Sequence, residues 1–402
     1  MAEQWDVAVV GAGPAGATSA ALLARLGHSV IMLDRAHFPR PKACAEYMSP
    51  GVAVVLERLG LQNILGPTSP RTVPGMDIMS PRGAVLRVKY EHDGETFHAS
   101  TLRRHILDAT LVRHAVQQGV QVVEGYVAKE VVQEGSAVCG VRGSQAGAER
   151  TILARLTVIA DGARSALTRS LGLSVVPRWP LRMGLVAHYE GHGNFPDGFG
   201  SMLVGSGGYC GLAPLPNEQV NVAVVTRLDL VRNSGLSATQ YFEQWIRSDP
   251  RLKTALSAAR RATPVRGVGP VGARSSQVWL PGALLVGDAA GFFDPFTGEG
   301  IYRALRGAEL VAEVGHRALC MPDRSVELLR EYPALRSRAF RRKQIVTGLV
   351  QLFVQYPWLM DYALPRLAAR PTPASSLSMV LGDLTDAREF LTPRMLWSAL
   401  RP

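Results

Sequence analysis

The chain has 402 residues, 47% of them hydrophobic and 19% charged, with a net charge of +11. That length accommodates two domains around a large core, and the composition is that of a globular protein rather than a disordered one. The basic excess is spread over many arginines without an aromatic-basic reader pattern, which argues against nucleic acid and for a field that draws in an anionic cofactor.

VAVVGAGPAGATSAALLARLGHSVIMLDR reads as an apolar strand from Val7 to Val10, then Gly11, Gly13 and Gly16 in G-x-G-x-x-G spacing, an alanine-rich helix, a second strand and Asp34. This is a dinucleotide fingerprint in its proper setting. Gly11 permits a tight turn, Gly13 lets backbone approach a pyrophosphate, Gly16 allows close helix packing, and the helix N-terminus faces the anion. Asp34 is placed to accept hydrogen bonds from an adenosine ribose.

Next, VPGMDIMSPRGAVLRVKY predicts a hairpin turning near Gly83, and TLRRHILDATLVRHAVQQ predicts a helix with Leu107, Leu111 and Val112 on one face. VQVVEGYVAKEVVQ and CGVRGSQAG follow as strands, and LTVIADGARSALTRSLG returns as strand, turn and helix. From Trp179 to Pro264 the character changes to the β segments RMGLVAHYEG, GYCGLAPLP and QVNVAVVTR, closed by the helix ATQYFEQWIRSD. Such a sheet would roof a cofactor held by the other domain, with a pocket between them. A second G-x-G-x-x-G, formed by Gly267, Gly269 and Gly272, lacks the flanking strand and helix and reads as a loop.

LLVGDAAGFFDPFTGEGIYRALRGAELVAE then sets Asp288 at the end of an apolar strand, and Gly298, Glu299 and Gly300 at the start of a helix. Arg336, Arg338, Arg341, Arg342 and Lys343 form the densest basic run and read as a solvated helix face. QIVTGLVQLFVQYPWLMDYALPRLAARP is too interrupted, by Pro357 and Pro365, for a transmembrane span. It reads as a helical cap over the substrate entrance, with an interfacial membrane contact as the alternative. Cys44, Cys139, Cys210 and Cys320 show no CxxC pair and no histidine cluster at metal spacing, so neither a metal site nor a disulfide framework is expected. A cytoplasmic protein without a signal peptide is the expectation, membrane-associated if the interfacial alternative holds.

Three blocks in order, GAGPAG, VIADGARS and LLVGDAAGFFDPFTGEG, resemble the flavoprotein family built on the p-hydroxybenzoate hydroxylase fold, and with their spacing they span most of residues 5 to 310. The resemblance implies an α/β chain. A Rossmann-like FAD-binding domain (residues 1–70, 100–178 and 265–342) would be interleaved with a β-sheet substrate domain (71–99 and 179–264) and followed by a C-terminal helical cap (343–402). It selects FAD as the bound cofactor and implies NAD(P)H as a transient electron donor, with a ferredoxin or a separate reductase as the alternative. Gly11, Gly13, Pro14, Ala15 and Gly16 would then hold the pyrophosphate, and Asp34, Arg35 and Val127 the adenosine end. Arg104 matches an arginine that lies along FAD in relatives, and Asp161 and Arg164 match a block associated with FAD and with the nicotinamide nucleotide. Gly287 and Asp288 would meet the ribityl chain. Gly298, Gly300 and Ile301 would lie under the pyrimidine ring, where the helix dipole stabilises the anionic reduced flavin.

Within this superfamily, PRPKACAEYMSPG and GDAAGFFDPFTGEGI look most like the geranylgeranyl-reductase group. Cys44 and Ser49-Pro50 match, whereas Ala45, Glu46 and Tyr47 replace glycines, and GYCGLAPLP replaces an aromatic-rich strand motif. The tryptophan motif and lysine of flavin halogenases are not recognisable, so halogenation is not expected. Two reactions compete. The commonness of monooxygenases on this fold and the missing prenyl-reductase wall favour hydroxylation or epoxidation through a flavin C4a-hydroperoxide. Cys44 and the GEGI ending speak for the alternative, hydride transfer to a carbon–carbon double bond. A non-catalytic flavin-binding protein is the third reading. The catalytic candidates are Cys44, a flavin-proximal thiol or a small packing residue; Pro295, at the flavin face; and Glu46 and Tyr47 as proton donors, with His188 and Tyr209 behind them. An apolar substrate is expected from Leu349, Leu352, Phe353, Trp358, Leu359 and Met360: a polyketide-like phenol, a quinone precursor or an isoprenoid.

Overall fold

The computed structural model describes residues 3–175, 181–191, 196–291 and 294–401. Trp179, where the β roof was expected to begin, and Phe292 and Phe293 of the GDAAGFFDPFTGEG block lie outside the described residues.

Short apolar runs bounded by turns build a parallel sheet in the order Gln121–Glu124, Val30–Asp34, Glu3–Val10, Ala148–Ile159, Ala283–Leu285. Its central strands are continuous hydrophobic stretches because both faces are covered. Ala148–Ile159 has two uses. Its first half closes an antiparallel meander with Ala137–Gln145 and Tyr126–Glu134, and its second half joins the parallel sheet. The winding direction reverses between Glu3–Val10 and Ala148–Ile159, which places a ligand crevice at their carboxyl ends.

The first helix, Pro14–Arg25, is buried from Pro14 to Leu23. It packs against the helices Arg104–Gln117 and Gly300–Cys320, in one core that includes Val7, Leu23, Leu111, Leu156 and Val311.

The second sheet runs Arg182–Glu190, Gln219–Arg227, Gly208–Leu215, Gly200–Gly205, Gly75–Met79, Val85–His92. The expected hairpin is present, with the turn at Gly83. Alternation of side chains gives this sheet two different faces. Leu203, Cys210, Leu212, Val222 and Val224 pack on Phe242 and Ile246 of the helix Ala238–Ser248, which opens on a Ser237–Gln240 capping box. Met202, Val204, Tyr209 and Val225 face Phe296 and the C-terminal helices instead.

Two sequence expectations are corrected. The Gly267–Gly272 segment is not a loop throughout: Arg266–Val271 is a strand paired antiparallel with Arg182–Glu190. Pairing offered by the neighbouring strand overrides the poor strand propensity of glycine and proline. The basic run is not a uniformly solvated face. On the helix Tyr332–Gln355, Arg338, Arg341 and Arg342 are exposed, whereas Arg336 is buried and Lys343 points inward to Glu299 and Asp383. The helices Trp358–Ala368, Pro371–Leu381 and Pro393–Leu400 complete the C-terminal layer. Among the described residues, no helix is long and apolar enough to cross a membrane.

Candidate cofactor and active site

The crevice at the switch point is assembled from the first helix and the ends of the strands around it. A side chain at Gly16 would collide with the Gly11 carbonyl oxygen, so this glycine is required for packing. Gly13 differs: a Cβ there would meet nothing nearer than Arg40 Nη2, at 3.8 Å. Gly13 is also the N-cap and no side chain caps the helix, so its first N–H groups, from Ala15 onward, have no side-chain partner. Asp34 is buried, accepting from Ala12 N at 2.8 Å and from Ala36 N at 2.9 Å. Arg35 beside it is exposed, as is Val127 at the start of the neighbouring meander.

Three cations converge here. Arg40 reaches Asp108 at 3.1 Å and Asp34 at 3.8 Å. Arg104 is buried and grips Asp108 with Nε and Nη2 at 2.8 and 3.0 Å. Burial opposes its charge, but Asp108 and Cys44 outweigh that and hold the guanidinium pKa above its ordinary value. Lys42 Nζ lies 3.4 Å from a Cβ built at Gly162; burial first, then Arg104, pushes its pKa down, and Asp288 opposes the shift. Asp161 accepts from Ala166 N at 2.9 Å with one oxygen, while its other oxygen is buried without a partner. Burial pushes this carboxyl upward. Arg164 is exposed and donates to the Gly269 carbonyl at 2.9 Å. The two distant motifs touch: Gly287, at φ 61°, leaves room for Ala15, whose Cβ would stand 2.8 Å from a Cβ at Gly287. An uncapped helix, an open glycine, converging cations and an orphaned carboxylate oxygen fit a dinucleotide that carries a pyrophosphate and hydroxyl groups.

At the other end of the crevice, Pro295–Thr297 forms a single tight turn leading through Gly298 into Gly300–Cys320. Pro295 is half-buried, Ile301 is buried, and nothing lies within 4 Å of a Cβ at Gly300. Asp294 anchors this turn to the roof. Its carboxylate caps Phe296 N at 3.1 Å, accepts from Tyr209 Oη, and pairs with Arg182 Nη1 at 3.1 Å; Arg182 also donates to Gln351. Burial and the adjacent Asp294 hold the Tyr209 phenol well above its ordinary pKa. Tyr47 packs against Gly298 and hydrogen-bonds Tyr90 Oη at 2.7 Å. Below them, Ser49 Oγ donates to Asp383 at 2.6 Å, and Lys343 bridges Asp383 and Glu299.

Cys44 and Glu46 belong to a third cluster, where the first domain meets the roof. The Glu46 carboxylate is 2% exposed. It accepts from Arg104 N at 2.8 Å and Asn221 Nδ2 at 3.1 Å, and lies 2.7 Å from His188 Nε2. Asn221 Nδ2 also donates to the Cys44 carbonyl at 2.8 Å, while Asn221 Oδ1 is buried and unpartnered. A carboxylate and an imidazole at this separation can hold one proton between them.

The structure therefore brings Cys44, Glu46, His188 and Arg104 into one cluster, and places Tyr47 and Tyr209 at two other points around Pro295–Gly298. Asn221, Arg182, Asp294, Gln351, Lys42 and Asp383 were not singled out from sequence. Two carried a local signal: Asp294 immediately precedes a proline at a turn, where an N-cap is expected, and Asn221 interrupts an apolar strand. The expected apolar wall is only partly internal. Met360 is buried, but Leu352 and Trp358 are 50% and 64% exposed and face away from the interior.

A family profile described as an FAD binding domain matches residues 4–337. Digeranylgeranylglycerophospholipid reductase 1 of Methanothermobacter thermautotrophicus is 30% identical over 355 residues, 83% of each chain. A geranylgeranyl bacteriochlorophyll reductase-like protein from Thermoplasma acidophilum superposes with a TM-score of 0.75 at 23% identity, covering 99% of this chain and 96% of its own. A myxobacterial chondrochloren halogenase superposes with a TM-score of 0.79 at 25% identity, over 87% of this chain and 83% of its own.

Proposed function

Because the chain belongs to the FAD-binding-domain family, within its geranylgeranyl-reductase-like group, we propose that this FAD-dependent oxidoreductase saturates a carbon–carbon double bond in an apolar, isoprenoid-like molecule. The observation that carries this reading is the buried Glu46–His188 pair beside Cys44, in the segment where Cys44 and Ser49-Pro50 match the group's signature while Glu46 itself stands in place of a glycine. The relatives named as reductases support it.

Bound FAD, once reduced, supplies a hydride to one alkene carbon. Saturation also needs a proton at the other carbon, and in this proposal the chain provides it. Glu46 and His188 share a proton, Asn221 fixes the carboxylate, and Thr263 Oγ1, 3.3 Å from His188 Nδ1, holds the imidazole from behind. Asp294, Arg182 and Tyr209 fix the Pro295 turn, so the reacting face is set by rigid elements. Excluding bulk water there keeps the proton from exchanging freely. NAD(P)H is the proposed donor of electrons.

An apolar substrate is delivered most directly from a lipid surface. Trp358 and Trp397 are 64% and 68% exposed, on helices that pack together and also carry Arg366 and Arg394. Aromatic rings among arginines suit an anionic interface.

The test is anaerobic. The reduced holoenzyme is mixed with polyprenyl alkenes, and both flavin absorbance and product mass are followed. Flavin reoxidation with a two-hydrogen gain in the alkene supports the proposal. No alkene saturation there, with a hydroxylated or epoxidised product in a parallel reaction under O2, overturns it in favour of oxygen insertion.

A further inference from the structure

We propose that His28, His316 and Cys320 form a divalent-metal site of the zinc class, far from the cofactor crevice and independent of the reaction assigned above. His28 follows the first helix, after Gly27. His316 and Cys320 stand one helical turn apart at the end of Gly300–Cys320, so their side chains share a face. The three ligand atoms all lie within 4.8 Å of one another: His28 Nε2 is 2.9 Å from His316 Nδ1, and Cys320 Sγ is 3.8 Å from the same nitrogen. Two imidazoles and a thiolate are the ligand set that zinc prefers, with nitrogens at about 2.0 Å and sulfur at about 2.3 Å. Tetrahedral placement at those lengths separates the donors by roughly 3.3–3.5 Å, which the present cluster reaches by small side-chain rotations.

The surroundings suit a cation. Both helices present their carboxyl-terminal ends here, where the backbone dipoles leave partial negative charge. The nearby positive charge of Arg155 is taken up by Asp6 at 2.9 Å and by the Leu319 carbonyl at 2.6 Å. Cys320 is exposed, which leaves the fourth position to water, as at an open three-ligand site. No metal site was expected from sequence because His28 is 288 positions from His316, and the H-x-x-x-C pair alone supplies only two of the three ligands.

The site would clasp the far ends of the two helices whose N-termini face the cofactor. The test uses untagged, flavin-loaded full-length protein, stripped with a chelator and dialysed against zinc. The expected result is one zinc retained per chain, with one sulfur and at least two nitrogens in its X-ray absorption fine structure. Cys320→Ser, at an exposed position, is expected to weaken zinc binding by more than about 10-fold, because even outer-shell changes cost that much. Stoichiometry well below one, or undiminished zinc retention by the Cys320→Ser and His316→Ala proteins, overturns the assignment and leaves a simple histidine–histidine hydrogen bond.

Discussion

Glu46 Oε2 lies 2.7 Å from His188 Nε2, although the residues are 142 positions apart and Glu46 itself holds a backbone φ of 58°. A non-glycine residue in that region costs roughly 1 kcal/mol or more, and such strain persists where surrounding contacts over-determine it, often at functional sites. Here Arg104 N, Asn221 and His188 together fix the carboxylate.

Glu46→Gln keeps the volume and the acceptor for Arg104 N but removes the exchangeable proton. Turnover is expected to fall about 100-fold, the usual range for a lost proton donor, with flavin content unchanged. Steady-state rates beside the flavin-to-protein absorbance ratio give the answer. Equal loss of flavin and rate would reassign Glu46 to architecture.

Gly13→Val and Gly16→Val should fail differently. Gly13 has open space around it, so its valine variant is expected to fold and lose FAD, whereas a valine at Gly16 meets the Gly11 carbonyl and destabilises the chain. Soluble yield, circular dichroism and bound flavin, measured on both proteins, distinguish the two outcomes. A yellow Gly13→Val protein would remove this glycine from the cofactor cradle.

Asp383 gives a signed pH dependence. Burial raises its carboxyl from 3.8 to about 6, against the pull of Lys343 and with the push of Glu299. Because the folded pKa exceeds the unfolded one, this group's contribution is most favourable below about pH 3.8 and is lost as pH rises through about 6. The melting-temperature gap between wild type and Asp383→Asn should therefore shrink across that window and be flat above it. A gap independent of pH contradicts the raised carboxyl.

Arg182→Met leaves Asp294 buried with Tyr209 and without its cation. Breaking a buried pair by removing one partner typically costs about 3–5 kcal/mol. Denaturant unfolding of the variant should show a loss of that order together with weakened flavin retention. A loss of stability alone would separate the Pro295 turn from cofactor binding.

The paired change Trp358→Ala and Trp397→Ala removes two exposed aromatic rings and nothing from the core. Co-sedimentation with anionic lipid vesicles is expected to drop at least about 10-fold, with thermal stability unchanged. Equal binding by both proteins would leave the C-terminal helices as a cap alone.

What the sequence made readable was chemistry confined to short stretches. Gly11 to Asp34 carries strand, turn, helix and strand in one run, and Pro295 to Gly300 likewise announces a turn entering a helix. Contacts made only by the fold were invisible. Arg182, Asp294 and Gln351 meet from three separate segments, and Lys343 looked like one more surface cation until Glu299 and Asp383 stood opposite it. Arg266–Val271 carried glycine and proline that argue for a loop, and only the adjacent Arg182–Glu190 makes it a strand.

The packing of Ala15 against Gly287 also bears on how the protein is made. Synthesis runs from the N-terminus, so the glycine-rich turn leaves the ribosome long before the strand Ala283–Leu285 that flanks its sheet and the segment that closes its crevice. The nascent chain cannot complete this crevice until Gly287 has emerged, or fasten its roof until Gln351 has reached Arg182. A cofactor held in that crevice would therefore load late in biogenesis, and a chain stalled partway would expose the apolar first helix with no ligand to steady it.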